Sequence, residues 1–258
     1  MAKRAHQVPA LRVPAWETIP NLVHGFLGRA GGASCGPFAE LNLSYRVGDD
    51  ADTVQENWRR ASAVAGALRC AHMQQVHGDR VALIDAASTQ GGEADAMVTR
   101  VAATALGTLT ADCVPILLVA PQHHVIAAVH AGWRGTLAGV AQRAVRHIVE
   151  AFGTPITEVQ AALGPAIGGC CYEVDRSIAN AVEDAWGPMP EAVARDGGPK
   201  AMLDLRRANA AILQRTGVRP MSIVTVGPCT RCAAAAYFSH RAAKGPTGRQ
   251  WSFIGWRV

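Results

Sequence analysis

Val125-Ile126-Ala127-Ala128-Val129-His130-Ala131-Gly132-Trp133-Arg134-Gly135 is the stretch on which the reading of this chain turns. Val125 to Val129 form an unbroken apolar run, the pattern of a short strand buried on both faces. Gly132 and Gly135 then close a tight turn. From Thr136 to about Glu150, the residues Leu137, Val140, Ala141, Ala144, Val145 and Ile148 recur at helical spacing and predict one helix with an apolar face. Strand, turn and helix together deliver His130 and Arg134 near a helix N-terminus, where unpaired backbone N–H groups favour an anion. The spacing of glycine and lysine that makes a P-loop is absent.

Working outward, Leu106–Leu109 and Val114–Val119 read as two further central strands, and Ser222–Val226 as a shorter one. Residues 20–47, punctuated by Gly28, Gly31, Gly32 and Gly36, read as strand and loop. Asp49 or Asp50 can cap a helix running to about Leu68, with Val54, Trp58, Ala61 and Val64 on one face. Further helices are predicted over about Asp175–Trp186 and Leu205–Thr216. The Pro/Gly-rich stretch Gly187–Lys200 between them reads as an exposed connection. Gly164-Pro165-Ala166-Ile167-Gly168-Gly169-Cys170-Cys171 is rich in small residues, which permits close approach of backbone to a ligand. The fold class is α/β, a single mixed α/β domain over 1–258, without the regular βαβ order of a doubly wound sheet.

With 258 residues, only 17% of them charged, the chain can bury a large core and does not have the composition of a disordered protein. No stretch approaches the roughly 20 apolar residues that cross a bilayer. Met1 to His6 lack the apolar segment of a signal peptide. The expectation is a cytoplasmic monomer with no membrane partner. The net charge of +5 is concentrated late: Arg231, Arg241, Lys244, Arg249 and Arg257 follow Cys229 with no acidic residue among them. Without interleaved aromatics or a nucleic-acid module, that tail fits a pocket for a small anion better than nucleic acid.

Seven cysteines without a secretion signal are expected to be reduced. Cys35 and Cys70 read as buried apolar residues. Cys229-Thr230-Arg231-Cys232 has CxxC spacing, but no second CxxC completes a structural zinc site. Packing or local architecture is the expected role, with a redox pair as the alternative. In Cys170-Cys171, one side chain is expected to pack and the other to face a pocket, since neighbours do not easily aim at one metal.

Three residues carry a sharper reading. Cys113 in Thr110-Ala111-Asp112-Cys113 lies between His77, in Gln74-Gln75-Val76-His77-Gly78, and His130. Two imidazoles and a thiolate would make a metal site with its fourth position left for water or substrate. Singly, His77 reads as a loop or core histidine and Cys113 as a small buried hydrophobe; their separation fits no compact zinc motif. His130 has the strongest individual case, at a strand end before a glycine-rich turn.

Longer motifs then connect these residues. They run through His24-Gly25-Phe26, Gly31-Gly32, Leu41-Asn42-Leu43 and Val47-Gly48-Asp49-Asp50. Gln75-Val76-His77-Gly78, Ala94-Asp95-Ala96, Thr110-Ala111-Asp112-Cys113 and His130-Ala131-Gly132-Trp133-Arg134-Gly135 follow. Gly164-Pro165-Ala166-Ile167, Cys170-Cys171-Tyr172-Glu173-Val174, Asp204-Leu205, Phe238-Ser239 and Thr247-Gly248-Arg249 complete the set. Across nearly its whole length the chain resembles the YfiH-like, laccase-domain proteins. Bacterial members of that family are called purine nucleoside phosphorylases, polyphenol oxidases or peptidoglycan editing factors.

The resemblance implies a fold like that of the cytotoxic-necrotizing-factor-type cysteine hydrolases, with zinc held by His77, Cys113 and His130. A thiolate committed to zinc is a poor nucleophile, which argues against a covalent thiol mechanism. The implied activity is phosphorolysis of adenosine, inosine, guanosine and methylthioadenosine, with deamination of adenosine. Zinc suits deamination directly, because its open position can make water nucleophilic at neutral pH. Phosphorolysis needs inorganic phosphate held beside C1′. Arg134 is the first candidate for that anion and Arg249 the second.

Asn42 reads either as a turn-tying amide or, by the motif it shares with the family, as a pocket contact. Arg46 stands where many relatives carry histidine; it can bind phosphate but cannot relay a proton at neutral pH. Asp112, beside the thiolate, can orient a histidine or water. The proton-transfer residue stays open. Two other functions remain in view: editing of peptidoglycan precursors, and copper-dependent oxidation of phenols. One His/Cys/His cluster is far short of the ligand set of a multicopper relay.

Overall fold

A computed structural model describes residues 8–66 and 68–258; the N-terminal Met1–His6 segment, read above for a signal peptide, lies outside them. Two sheets are stacked face to face. The first runs in the order Ala10–Leu11, Leu22–Leu27, Gln250–Trp256, Thr104–Thr110, Arg69–Cys70. The second runs Ile223–Thr225, Gln160–Leu163, Val114–Ala120, Val125–Ala131, Ala96–Thr99, Val81–Leu83. The interior pairings of both sheets are antiparallel, and parallel pairs occur only where short edge strands are added. Hence helices and strands alternate along the chain without building a doubly wound sheet.

Side-chain alternation sorts the central strands into layers. Leu117, Val119, Ile126 and Ala128 face Phe26, Leu106, Ile254 and Trp256 between the sheets. Their neighbours Ile116, Leu118, Ala127 and Val129 face away, onto the helices Val140–Phe152 and Leu205–Thr216. On the far side of the first sheet, Trp251 and Phe253 pack with Leu41, Leu43 and Ala61, the last from helix Ala51–Val64. The order of layers is helix, sheet, sheet, helices. Val114–Ala120, Val125–Ala131 and Gln250–Trp256 are buried at every residue because both faces of each are covered. This is a single mixed α/β domain, and no described helix is long and apolar enough to cross a membrane.

Local signals placed several elements well. Asp50 caps the Ala51–Val64 helix by accepting the Thr53 N–H at 2.8 Å. Leu205–Thr216 is helical over the predicted span, capped by Asp204. Three expectations need correction. The predicted Thr136–Glu150 helix is two helices, Trp133–Ala138 and Val140–Phe152, broken at Gly139 with φ +81°. Trp186 causes the break: its indole N–H donates to the carbonyls of Thr136 and Leu137, each at 3.1 Å, and occupies the space a Cβ at Gly139 would need. Gly187–Lys200 is not simply an exposed connection. Met189, Ala192 and Val193 are buried in it, and Val193–Ala194 pairs with Lys200–Leu203. Cys35 is exposed and Cys70 half-buried, so neither is a fully buried apolar residue.

His24 is buried on the strand Leu22–Leu27, where its Nε2 accepts the Val13 N–H at 2.9 Å. Burial first, then the charge of Arg12, push its pKa down to about 4. An imidazole whose folded pKa lies below its unfolded value holds more protons when unfolded, so stability is lost as pH falls from about 6.5 towards 4. Replacing it by an uncharged acceptor, His24→Gln, should flatten that part of a urea-midpoint profile against pH. At neutral pH, Gly139→Ala should cost about 2 kcal/mol or more, from the left-handed backbone plus the overlap with Trp186. Gly153→Ala, with φ +64° and nothing within 4 Å of its Cβ, should cost only about 1 kcal/mol; paired denaturation curves measure both.

Candidate metal centre

His130 sits one residue from the end of Val125–Ala131, opposite Pro115 on Val114–Ala120. Its Nδ1 is 2.8 Å from Oδ1 of Asp95, a carboxylate with no solvent exposure. The same carboxylate accepts three successive backbone N–H groups, from Val76 at 3.1 Å, His77 at 3.0 Å and Gly78 at 2.7 Å. One buried side chain therefore orients His130 and shapes the turn that carries His77. Gln75 anchors the approach to that turn, exchanging two 2.8 Å hydrogen bonds with the backbone of Leu109.

Cys113 enters from the start of Val114–Ala120. His77 at φ +61° and Asp112 at φ +88° both have left-handed backbone, sparsely populated by side-chain-bearing residues and concentrated at functional sites. The donor atoms of His77, Cys113 and His130 all lie within 4.8 Å of one another. A Cβ at Gly132 would come within 3.1 Å of both Cys113 Sγ and the His77 ring, tight enough to press on the cluster, so glycine leaves it its space. Two nitrogens and one sulfur in this arrangement fit a zinc-type cation, with Asp95 behind His130 as the carboxylate that fixes a ligand imidazole.

The electrostatics favour the ligand-competent thiolate. Burial alone would raise the Cys113 thiol, but the charge and hydrogen bonding of His130 and His77 outweigh it and bring the pKa down to about 6. Burial opposes protonation of His130 as well; Cys113 and Asp95 overcome it and raise the imidazole to about 9. Asp95 stays below its ordinary value: its bonds from His130 and the turn amides exceed the penalty of burial. Tyr172 is pushed up to about 12 by burial and by the nearby Cys113 charge, so it remains a proton donor.

The cluster opens into a cavity of about 1150 Å³ whose wall includes Arg46, Arg134, Tyr172, Arg241 and Arg249. Arg134 is exposed, 4.6 Å above the Trp133 ring. The helix that begins beside it has only six residues, so the anion-attracting element here is the guanidinium and not a long helix dipole. Arg46 is exposed and within 3.2 Å of Gln74. The Arg249 guanidinium is bonded to the carbonyls of Thr247 and Gly248, with its charge near Asp112 and Cys113.

Asp112 lines the cavity, yet both its oxygens are engaged: Oδ1 accepts from the Thr230 hydroxyl and Oδ2 from the Arg241 N–H, each at 2.6 Å. Asn42 is fully buried off the wall, with its amide bonded to Ser44, Asp49 and the Arg249 N–H. It ties two loops together. Asp95, Tyr172 and Arg241 were not singled out as site residues from sequence. The available signal for Asp95 was its place in the shared motif Ala94-Asp95-Ala96, and for Arg241 its membership of the basic tail read as fitting a small anion; neither assigned a role.

A model of the family described as multi-copper polyphenol oxidoreductase laccase matches residues 23–257. The protein named purine nucleoside phosphorylase YlmD from Geobacillus stearothermophilus is 36% identical, covering 91% of this chain and 90% of its own. A purine nucleoside phosphorylase of Deinococcus radiodurans is 40% identical over 92% and 90% of the two chains. Adenosine deaminase RL5, from an unknown prokaryotic organism, is 36% identical over 84% and 87%. Among solved structures, YfiH of Bacillus licheniformis superposes with a TM-score of 0.90 at 28% identity, covering 98% of each chain.

Asp95→Asn tests the organising role given to that carboxylate. Zinc affinity, measured by competition with a chromogenic chelator, should fall by about 10- to 100-fold while the fold is retained by circular dichroism. Unchanged affinity would mean that His130 is oriented by packing alone.

Proposed function

The chain belongs to the multi-copper polyphenol oxidoreductase laccase family, and on that premise we propose that it is a zinc-dependent enzyme of purine nucleosides, cleaving them with phosphate and deaminating adenosine. The observation that carries the reading is the convergence of His77, Cys113 and His130 at a roomy cavity with an arginine-rich wall. A metal-ligand cluster and anion-binding groups in one space are what the paired chemistries of the named relatives require. When bound, zinc supplies Lewis acidity at neutral pH.

The remaining roles fall to the chain's own side chains. Arg134 and Arg249 hold inorganic phosphate, and Arg46 adds positive charge at the rim. Trp133 and Tyr172 offer ring faces for a purine. Tyr172, protonated at any physiological pH, donates a hydrogen bond to the departing base. Asp112 positions the wall through Thr230 and Arg241, since both its oxygens already accept hydrogen bonds. Zinc is preferred to copper because a single His/Cys/His set provides for one cation and no electron relay.

Liquid chromatography of products from zinc-loaded protein and adenosine, with and without phosphate, tests the reading. Adenine and ribose 1-phosphate should appear only with phosphate, inosine without it, and neither with Cys113→Ala. Arg134→Met and Arg249→Met should each raise KM for phosphate about tenfold, the loss of one charge-assisted hydrogen bond. Absence of any nucleoside product under both conditions would overturn the proposal and direct attention to peptidoglycan precursors.

A further inference from the structure

The two cysteine pairs set aside in the sequence meet in the fold. Cys170 and Cys171 follow the strand Gln160–Leu163, and Cys229 and Cys232 follow Ile223–Thr225, which pairs beside it in parallel. The connection after each strand therefore leaves from the same end of the sheet. An isolated backbone bridge between Ala166 and Cys229, with the Thr230 N–H bonded to the Ala166 carbonyl at 3.0 Å, keeps them side by side. Cys171 and Tyr172 both donate to the Gly168 carbonyl, curling the first connection so that neighbouring sulfurs face the same point. The expectation that adjacent cysteines diverge, and that the CxxC lacks partners, is thereby corrected.

All four sulfurs lie within 4.8 Å of one another. Cys171 Sγ is 3.4 Å and Cys170 Sγ 3.7 Å from Cys232 Sγ. A disulfide requires about 2.05 Å, so these are separate thiols. Four thiolates around zinc, each about 2.3 Å from it, stand about 3.8 Å apart in a tetrahedron. The two shortest separations, 3.4 and 3.7 Å, lie close to that figure, and the whole set lies within 4.8 Å. The buried Cys229 Sγ also accepts the Gly168 N–H at 3.2 Å, a hydrogen bond that favours a thiolate. Positive charge stands close: a Cβ at Gly168 would be 3.5 Å from the Arg206 guanidinium, and Arg231 reaches the Cys171 carbonyl. These arginines offset the excess negative charge of four thiolates around a divalent ion.

We propose that Cys170, Cys171, Cys229 and Cys232 form a second, closed zinc site that clips the 164–172 connection to the 227–232 turn. Four protein donors leave no position for water, so the site is structural. Its place gives it a purpose at the first centre. The clipped segments supply the Ile167 N–H to the Asp112 carbonyl at 2.9 Å and the Thr230 hydroxyl to the Asp112 carboxylate at 2.6 Å. The second cation holds the wall beside Cys113.

Zinc content of the full-length protein, purified without chelator, tests this directly. Two zinc ions per chain are expected in the natural protein, one in Cys113→Ser and one in Cys170→Ser/Cys232→Ser. Cobalt(II) titration of the metal-free natural protein needs no variant. It should give one equivalent with the intense sulfur-to-metal charge-transfer band of a four-thiolate site, retained in Cys113→Ser. The single exposed substitution Cys232→Ser should lose that band and unfold several degrees lower, while keeping the other zinc. One zinc per chain, lost in Cys113→Ser, with cobalt showing no four-thiolate spectrum, would overturn the proposal. So would peptide mapping that finds these cysteines joined as disulfides in the freshly isolated protein.

Discussion

The Asp95 carboxylate, without solvent exposure, holds the candidate centre together by accepting from His130 and from three consecutive amides of the 76–78 turn. A buried anion is tolerated only when its oxygens are fully engaged, and here every partner belongs to the segments that carry the candidate ligands. His130 comes from a central strand and His77 from a loop with left-handed backbone. Their rings meet edge to face with centroids 4.8 Å apart, and the shared acceptor fixes both. The geometry of the candidate centre begins with this hydrogen-bonded node.

The layered architecture explains why such a node can exist. Central strands covered on both faces are largely apolar, Val114–Ala120 and Val125–Val129 entirely so, and the polar ligand candidates stand at or just beyond their ends. His130, Cys113 and the Thr110–Asp112 turn occupy ends of adjacent or facing strands, so they share one edge of the stack. Loops from distant parts of the chain cover that edge. Asn42 ties the 42–49 loop to Arg249, and Asp112 ties Thr230 and Arg241 to the start of a core strand. Part of the cavity wall is thus held by long-range hydrogen bonds between loops, alongside residues from strands and helices.

That wall carries four arginines while the floor carries the candidate metal cluster, and the combination narrows the proposed chemistry more than the family's description does. Copper oxidation of phenols requires several coupled centres, whereas anionic phosphate and a polarisable purine suit an arginine-lined space with aromatic faces. The four-cysteine cluster extends the same logic: one candidate centre combines the single sulfur of Cys113 with two imidazoles, and the other, as proposed above, is made of sulfur alone beside the same wall.

The amino-acid sequence by itself determined the central strands, the Asp50- and Asp204-capped helices and the family, because each depends on local periodicity, capping or contiguous motif; it named His77, Cys113 and His130 as candidate ligands, whose donor atoms the fold brings together. It did not determine the break at Gly139, which exists because Trp186 packs there from another helix. Nor did it reveal the meeting of Cys170-Cys171 with Cys229 and Cys232, or the burial of Met189, Ala192 and Val193 in an apparently loop-like stretch. Asp95 and Arg241 illustrate the difference most clearly. Their residue types were visible, but their roles arise from partners 35 and 129 positions away along the chain. Hydrogen bonds and ligand clusters of that separation form only when strand order and register bring the segments together, and those are decided by the packing of the two sheets and not by any local stretch.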